Sequence, residues 1–284
     1  MNSGILNFIE DNKELFQASD WNEIYKRLIN LSVQSHVMGT KYYGLDIGEF
    51  SSDMIELGMD PIRKGNMTIV PWAYLRHVKK PFTYTLPSQI KEINTVAFLR
   101  SGLEEININE GCEVIGGSAF EDCRNLTSIN IPASVRTIRE YALASCKNLS
   151  EINFLGNNLT SIWEYGLAYN PSLERIKLPE GLQKLGNMVF FKNKELKEVS
   201  LPNTLQHIGE HCFFGDTNLT NLEMNFNLVV FGREPFYDCP NLTTITHRGP
   251  KKDILKLGWH IKKRWRKGSS LTKIICDDGE IELV

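Results

Sequence analysis

The feature that most constrains this chain is an internal period. Phrases of one build recur from Val70 to His247, the clearest being IGGSAFEDCRNLTSINIPASV from Ile115 and LGNMVFFKNKELKEVSLPNTL from Leu185. Aligned on the first apolar residue of each copy, the anchors are Val70, Ile93, Ile115, Ile138, Ile162, Leu185, Ile208 and Phe231. They are spaced 23, 22, 23, 24, 23, 23 and 23 residues apart. A fixed period of about 20–50 residues marks a stacked architecture in which each unit buries its apolar face only against its neighbours.

One copy shows the physics. Ile115 is followed by Phe120, Cys123, Leu126, Ile129, Ile131 and Pro132, and the next copy approaches through Val135. Around Ile129 the side chains alternate as in a strand, with Ile129 and Ile131 directed inward and Ser128 and Asn130 outward. Pro132 has no N–H to give to a ladder and ends the strand. The glycine after the anchor (Gly116, Gly186, Gly209, Gly232) predicts a tight turn. The run to Phe120 is too short for an α-helix and predicts a turn or 3₁₀ segment. One copy buries too little apolar surface to offset the entropy of ordering its own backbone. The array therefore folds cooperatively and needs caps at both ends. Parallel strands at about 4.8 Å spacing predict one long sheet as the surface for contact.

The recurring L-x-x-I-x-I-P, S-V-x-x-I and A-F-x-x-C-x-x-L phrases resemble the BspA-like class of leucine-rich repeat, found in bacterial and bacteriophage proteins. The fold expectation is an α/β-type repeat solenoid with a parallel β ladder. The resemblance implies a protein that binds other macromolecules, as many surface adhesins of the class do. The copies at Ile138 and Ile162 depart from it, with Leu143 and Leu167 in place of Phe and Asn170 in place of Cys. The phrase MIELGMDPI ahead of a worn first repeat also resembles the leader of small phage-encoded proteins of this class.

The expected organisation is a helical amino-terminal cap over residues 1–66, a solenoid over 67–248 and a carboxy-terminal cap over 249–284. Ser3 to Phe16 reads as one amphipathic helix through Ile5, Leu6, Ile9 and Leu15. Asp20 and Glu23 open a second that carries Ile24, Leu28 and Leu31. Glu49 to Leu57 reads as a third, ended by Gly58 and Pro61. His36 to Gly48 gives no clear pattern. In the first repeat, Val70, Leu75, Val78, Tyr84, Leu86 and Pro87 take the anchor, Phe, Cys, Ile, Ile and Pro positions. Past His247, Ile254 lies 23 residues beyond Phe231 and Trp259 five further on, so the register is expected to run for another half turn. A charged insert, HIKKRWRKGSS, then precedes the strand LTKIIC, and Asp278-Gly279 signals a hairpin returning through Ile281 and Leu283.

The net charge of −2 argues against a globally cationic nucleic-acid binder. The start MNSGILNFIEDNKELF has no basic region and carries Glu10, Asp11 and Glu14, so no secretory signal is read and a cytoplasmic location is expected. No apolar run is long enough to span a bilayer. Of the six cysteines, Cys123, Cys146 and Cys239 share the repeat position held elsewhere by Ser101, Asn170, Asn193 and Asp216. That points to buried free thiols, with a disulfide framework as the alternative. The N-L-T and N-L-S sequons, such as Asn125-Leu126-Thr127, follow from the repeat consensus itself.

His207-Ile208-Gly209-Glu210-His211 spells an inverted zincin motif, but that chemistry needs both histidines on one helix face, and here the repeat anchor and its glycine interrupt them. Phosphate-binding, dinucleotide and nucleophile-elbow motifs are missing as well, so no enzyme and no cofactor is expected. Three surfaces remain. The outward columns of the strands read Glu105, Ser128, Glu151, Arg175, Glu198, Asn221, Thr244 and Asn107, Asn130, Asn153, Lys177, Ser200, Glu223, Thr246; of these Glu151, Arg175, Lys177, Glu198 and Glu223 are the candidate partner contacts. On the turn side Phe191, Phe214 and Tyr237 are expected to stack, with Trp163, Tyr165 and Tyr169 one turn earlier, as an interface or as a second layer of core. The basic insert offers Lys262, Lys263, Arg264, Arg266 and Lys267 with Trp259 and Trp265 for nucleic acid or an acidic partner, or simply as a solvated cap edge. The expected function is non-catalytic protein binding, with nucleic-acid binding and surface adhesion as alternatives.

Overall fold

A computed structural model of the chain describes residues 1–32, 41–42, 45–64, 66–225, 228–255 and 267–283. Each coil of the solenoid begins with a two-residue anchor strand: Ile69–Val70, Glu92–Ile93, Val114–Ile115, Thr137–Ile138, Ser161–Ile162, Lys184–Leu185, His207–Ile208 and Val230–Phe231. These pair in parallel, each with the next, as one eight-stranded sheet. The second residue of each pair is inward, and all but half-buried Phe231 are fully shielded. We number the coils one to eight by these anchors.

On the opposite side run the longer strands, and here the expectation of one continuous sheet is corrected. Phe82–Thr85 pairs with Leu103–Asn107, and Ser128–Ile131 pairs with Glu151–Phe154. A six-stranded sheet follows from Arg175–Lys177 through Glu198–Ser200, Asn221–Met224, Thr244–His247 and Lys273–Cys276 to Gly279–Glu282. The last break coincides with the longest repeat. An extra residue between Leu155 and Ile162 enlarges the loop there, and Leu155 is 60% exposed.

Between anchor and long strand the chain turns without helix. Residues three and seven after each anchor take positive φ, including Val96 (53°), Ser118 (52°), Tyr141 (55°), Tyr165 (54°), Tyr169 (59°) and Lys192 (57°). Left-handed backbone is costly for such residues. It is held by a ladder in which successive N–H groups reach the next coil: Ser118 to the Glu140 carbonyl at 2.8 Å, Phe120 to Ala142 at 2.9 Å and Asp122 to Ala144 at 2.9 Å. The expected role of the post-anchor glycines changes accordingly. Gly209 and Gly232 have no positive φ. A Cβ on Gly209 would lie 2.4 Å from the Gly186 carbonyl carbon, and one on Gly232 would lie 2.2 Å from that of Gly209. Close stacking of coils, not turn geometry, demands glycine here.

The core runs the length of the molecule. Phe98 stacks on Phe120 (5.3 Å, 9°) and Phe190 on Phe213 (5.1 Å, 9°), with Leu143 and Leu167 filling the position in coils four and five. All six cysteines are buried free thiols, including Cys123, Cys146 and Cys239, for which the shared repeat position indicated it. Burial raises the Cys112 thiol to about 11 and the Cys123 thiol to about 12, which keeps both unreactive.

The first coil is covered by helices α1 (Ser3–Asp11), α2 (Lys13–Ala18), α3 (Trp21–Ser32), α4 (Ile47–Glu56) and α5 (Pro61–Lys64). The single helix expected from Ser3 to Phe16 is two, broken at Asn12, whose amide donates to the Phe8 carbonyl at 2.8 Å. The third expected helix starts earlier than read, because Asp46 accepts from the Glu49 N–H at 3.1 Å and caps it. Pro61 does not merely follow a helix; it begins α5, a position its fixed φ favours. Edge-on and tilted rings carry the core from Phe8 and Phe50 through Tyr25 and Tyr74 to Phe98. Asp60 accepts from the hydroxyls of Tyr74 (2.9 Å) and Tyr84 (2.8 Å).

At the other end the anchor register stops at Phe231. Ile254 is buried, but in helix α6 (Lys251–Leu255), not in a ninth anchor strand. Lys273–Cys276 adds to the sheet and turns back antiparallel through Asp277-Asp278, with Cys276 opposite Gly279. The hairpin is as expected, one residue earlier than the Asp-Gly signal placed it. Lys273 reaches Glu280 at 3.0 Å and Glu282 at 3.3 Å across that edge.

Candidate functional site: two outward surfaces

The strand register brings the predicted columns together. Arg175 lies beside Glu198 and then Asn221, and Lys177 lies beside Ser200 and then Glu223. Where the sheet breaks, Glu151, Asn153, Phe154 and Leu155 on one side face Arg175, Lys177, Glu198 and Glu223 on the other. Together they line an open groove of about 980 Å³. The Asn153 amide donates to Glu151 (2.9 Å) and Asn130 (3.1 Å), which orients that wall. Arg248 reaches back to clasp both carboxylate oxygens of Glu223 and donates to the Ser200 hydroxyl at 3.1 Å. This clasp holds the Glu223 carboxyl below its usual range. Arg175, Lys177 and Glu198 are exposed and form no ion pair among the described residues.

The turn side carries the aromatic stripe. Phe191 stacks on Phe214 (5.0 Å, 17°) and Phe214 on Tyr237 (5.2 Å, 14°), as the spacing predicted. Phe191 also meets Tyr165 and Tyr169 edge-on, and Tyr165 stacks on Tyr141 at 4.7 Å. Tyr141 was not singled out from the sequence, yet it occupies the same position after its anchor as Tyr165, which was the available signal. The structure separates Trp163 from this group. It stands one residue after its anchor, 47% exposed on the anchor-sheet side, with its indole N–H 3.2 Å from the Ser161 hydroxyl. Among the described residues it makes no ring contact with the stripe. Lys192 lies over the Phe191 ring at 5.1 Å.

Of the basic insert, Lys262, Lys263, Arg264, Arg266, Trp259 and Trp265 lie outside the described residues. Lys267 is described and is engaged. It donates to Glu234 at 2.6 Å, which lowers that carboxyl, while His211 approaches the same carboxylate at 3.4 Å. The H-x-x-E-H stretch is a strand, His207–Ile208, followed by a turn, so its two histidines do not share a helix face. No group of three potential metal ligands occurs among the described residues, and no helix there is long and apolar enough to cross a membrane.

Two facing parallel ladders with one coil per 22–24 residues define a leucine-rich-repeat solenoid. The sequence pattern of the family described as "BspA type Leucine rich repeat region (6 copies)" matches residues 80–191 and 188–257, and the chain belongs to that family. Among solved structures it is similar to a leucine-rich repeat protein of T. pallidum, with 24% identity over 65% of this chain and 86% of that one and a TM-score of 0.48. The pneumococcal vaccine antigen PcpA is similar at 19% identity over 76% of this chain and 75% of that one, with a TM-score of 0.41. A leucine-rich repeat protein from Bacteroides ovatus shows 18% identity over 74% and 75%, with a TM-score of 0.40. A comparison with curated proteins finds no match.

Proposed function

We propose that this chain is a non-catalytic protein-binding module whose partner seats on the strand face. The observation that carries the reading is the groove at the sheet break, where Arg175, Lys177 and Glu198 stand exposed with no ion pair among the described residues. Charges held ready on a backbone ladder match a complementary surface without much ordering cost, which favours association rate and selectivity. Several coils of such a ladder supply an area on the order of the ~800 Å² per partner that a stable complex uses. The aromatic stripe of Tyr165, Phe191, Phe214 and Tyr237 is the second contact surface. By its resemblance to bacterial and phage members of the class, the protein acts in the cytoplasm as a factor that blocks or recruits a host component.

The test is affinity capture with the intact chain, comparing wild type, Arg175→Glu with Lys177→Glu, and Phe191→Ala with Phe214→Ala. The charge-reversal pair is expected to lose at least tenfold of the captured partner while its circular dichroism stays unchanged. Capture that survives both pairs removes both surfaces. Salt-sensitive nucleic-acid binding that disappears on neutralising Lys262, Lys263, Arg264 and Arg266 would replace this reading with the nucleic-acid one.

A further inference from the structure

In five of the eight coils, the side chain eight residues after the anchor is a buried thiol or amide that closes one hydrogen bond to the coil before it. The acceptor is always the carbonyl five residues after the preceding anchor. Cys123 reaches Phe98 at 3.1 Å, Cys146 reaches Phe120 at 3.1 Å, and Cys239 reaches Phe213 at 2.9 Å. The amides of Asn170 and Asn193 reach Leu143 at 2.9 Å and Leu167 at 3.0 Å. In coils five to seven the same side chains also accept. Asn170 takes the Cys146 N–H, Asn193 takes the Asn170 N–H, and Asp216 takes the Asn193 N–H at 2.8 Å through Oδ1.

Asp216 fills the donor position of coil seven with a group that, when ionised, cannot donate. It is fully buried, and its Oδ2 has no hydrogen-bond partner. By the pattern of Asn170 and Asn193, whose Oδ1 accepts as Asp216 Oδ1 does, Oδ2 corresponds to their Nδ2, and the carbonyl five residues after the preceding anchor is that of Phe190. An ionised carboxylate there would be a bare charge in an apolar core opposite a carbonyl dipole, a cost that buried groups avoid by neutralising. The titratable groups that face it are the thiols of Cys212 on its own coil and Cys239 on the next, both raised by burial and uncharged, with Asn193 on the preceding coil. Among the described residues, no cation pairs with it.

We propose that Asp216 is held in the folded solenoid as the neutral carboxylic acid, its hydroxyl donating to the Phe190 carbonyl, so that coils six and seven are joined by a proton-dependent lock. Burial agrees with this, pushing the carboxyl well above its ordinary 3.8. The sign follows from proton counting. Above pH 3.8 the unfolded chain releases this proton and the folded chain keeps it, so Asp216 contributes progressively less to folding as pH rises. The lock opens once the folded carboxyl ionises.

The test is carboxyl-carbon NMR of the whole chain with isotope-labelled aspartate at pH 7, beside denaturant unfolding of wild type and Asp216→Asn from pH 5 to 9. One aspartate resonance is expected at the position of a protonated acid and is missing from Asp216→Asn. The variant restores the amide of the two preceding coils. It is expected to be the more stable protein at pH 7, and the ratio of the two folding constants should change about tenfold per pH unit until Asp216 ionises. Asp216→Cys, copying three other coils, gives the same comparison should the asparagine variant misfold. All aspartates ionised at pH 7, or a stability difference that does not change with pH, overturns the proposal.

Discussion

Two aromatic columns run side by side through coils six to eight. The inner one, Phe190, Phe213 and Phe236, and the outer one, Phe191, Phe214 and Tyr237, differ by a single residue in sequence. Their ring geometry is nearly the same: 5.1 and 5.6 Å between centroids inside, 5.0 and 5.2 Å outside. What differs is water. The inner rings are fully buried, whereas Phe191 and Phe214 are half-buried and Tyr237 is 36% exposed. Stacking geometry alone therefore does not tell core from surface in a solenoid. The fixed rise of the coils imposes it on any aromatic repeated at the period, and only the side of the turn decides whether the ring is sealed in the core or left partly open to solvent.

That comparison can be broken experimentally. Phe213→Ala is expected to cost about 3–5 kcal/mol in denaturant unfolding, because the cavity is enclosed by neighbouring coils that cannot collapse into it. Phe214→Ala is expected to cost only about 1 kcal/mol, the scale of an aromatic pair beyond its burial, while reducing partner capture. Equal costs for the two would show that the outer column is core. Smallest is Arg248→Ala, which removes the clasp on half-buried Glu223 and is expected to cost less than about 1 kcal/mol. The Glu223 carboxyl is held below its ordinary 4.5, so the clasp contributes in full above that pH and is lost as pH falls through the lowered value. The difference between wild type and Arg248→Ala should accordingly vanish in acid; a difference that grows on acidification would mean that Arg248 acts through another group.

Much of this was legible in the residues. The 23-residue spacing located all eight anchors, and the alternation around Ile129 assigned the strand faces, because both periods are imposed by backbone geometry. The buried state of Cys123, Cys146 and Cys239 followed from their shared position. Other readings failed where the cause lay between coils. The role of Gly209 and Gly232 was read as local turn freedom, yet it is contact with the coil before. Ile254 kept the period by number but lies in α6, because a helix had already replaced the ladder. Trp163 was grouped with Tyr165 across two residues that in fact carry the chain around to another face.

By itself the sequence determined the solenoid, its coil length and which side chains face inward, since a repeated apolar pattern has one stacked solution. Only the tertiary structure decided where the strand sheet breaks, that Arg248 is spent on Glu223 while Arg175 and Lys177 form no ion pair among the described residues, and that one carboxylate oxygen of buried Asp216 is left without a hydrogen-bond partner. These depend on contacts between residues a full coil or more apart. The pattern of one repeat carries no information about what the next repeat places against it.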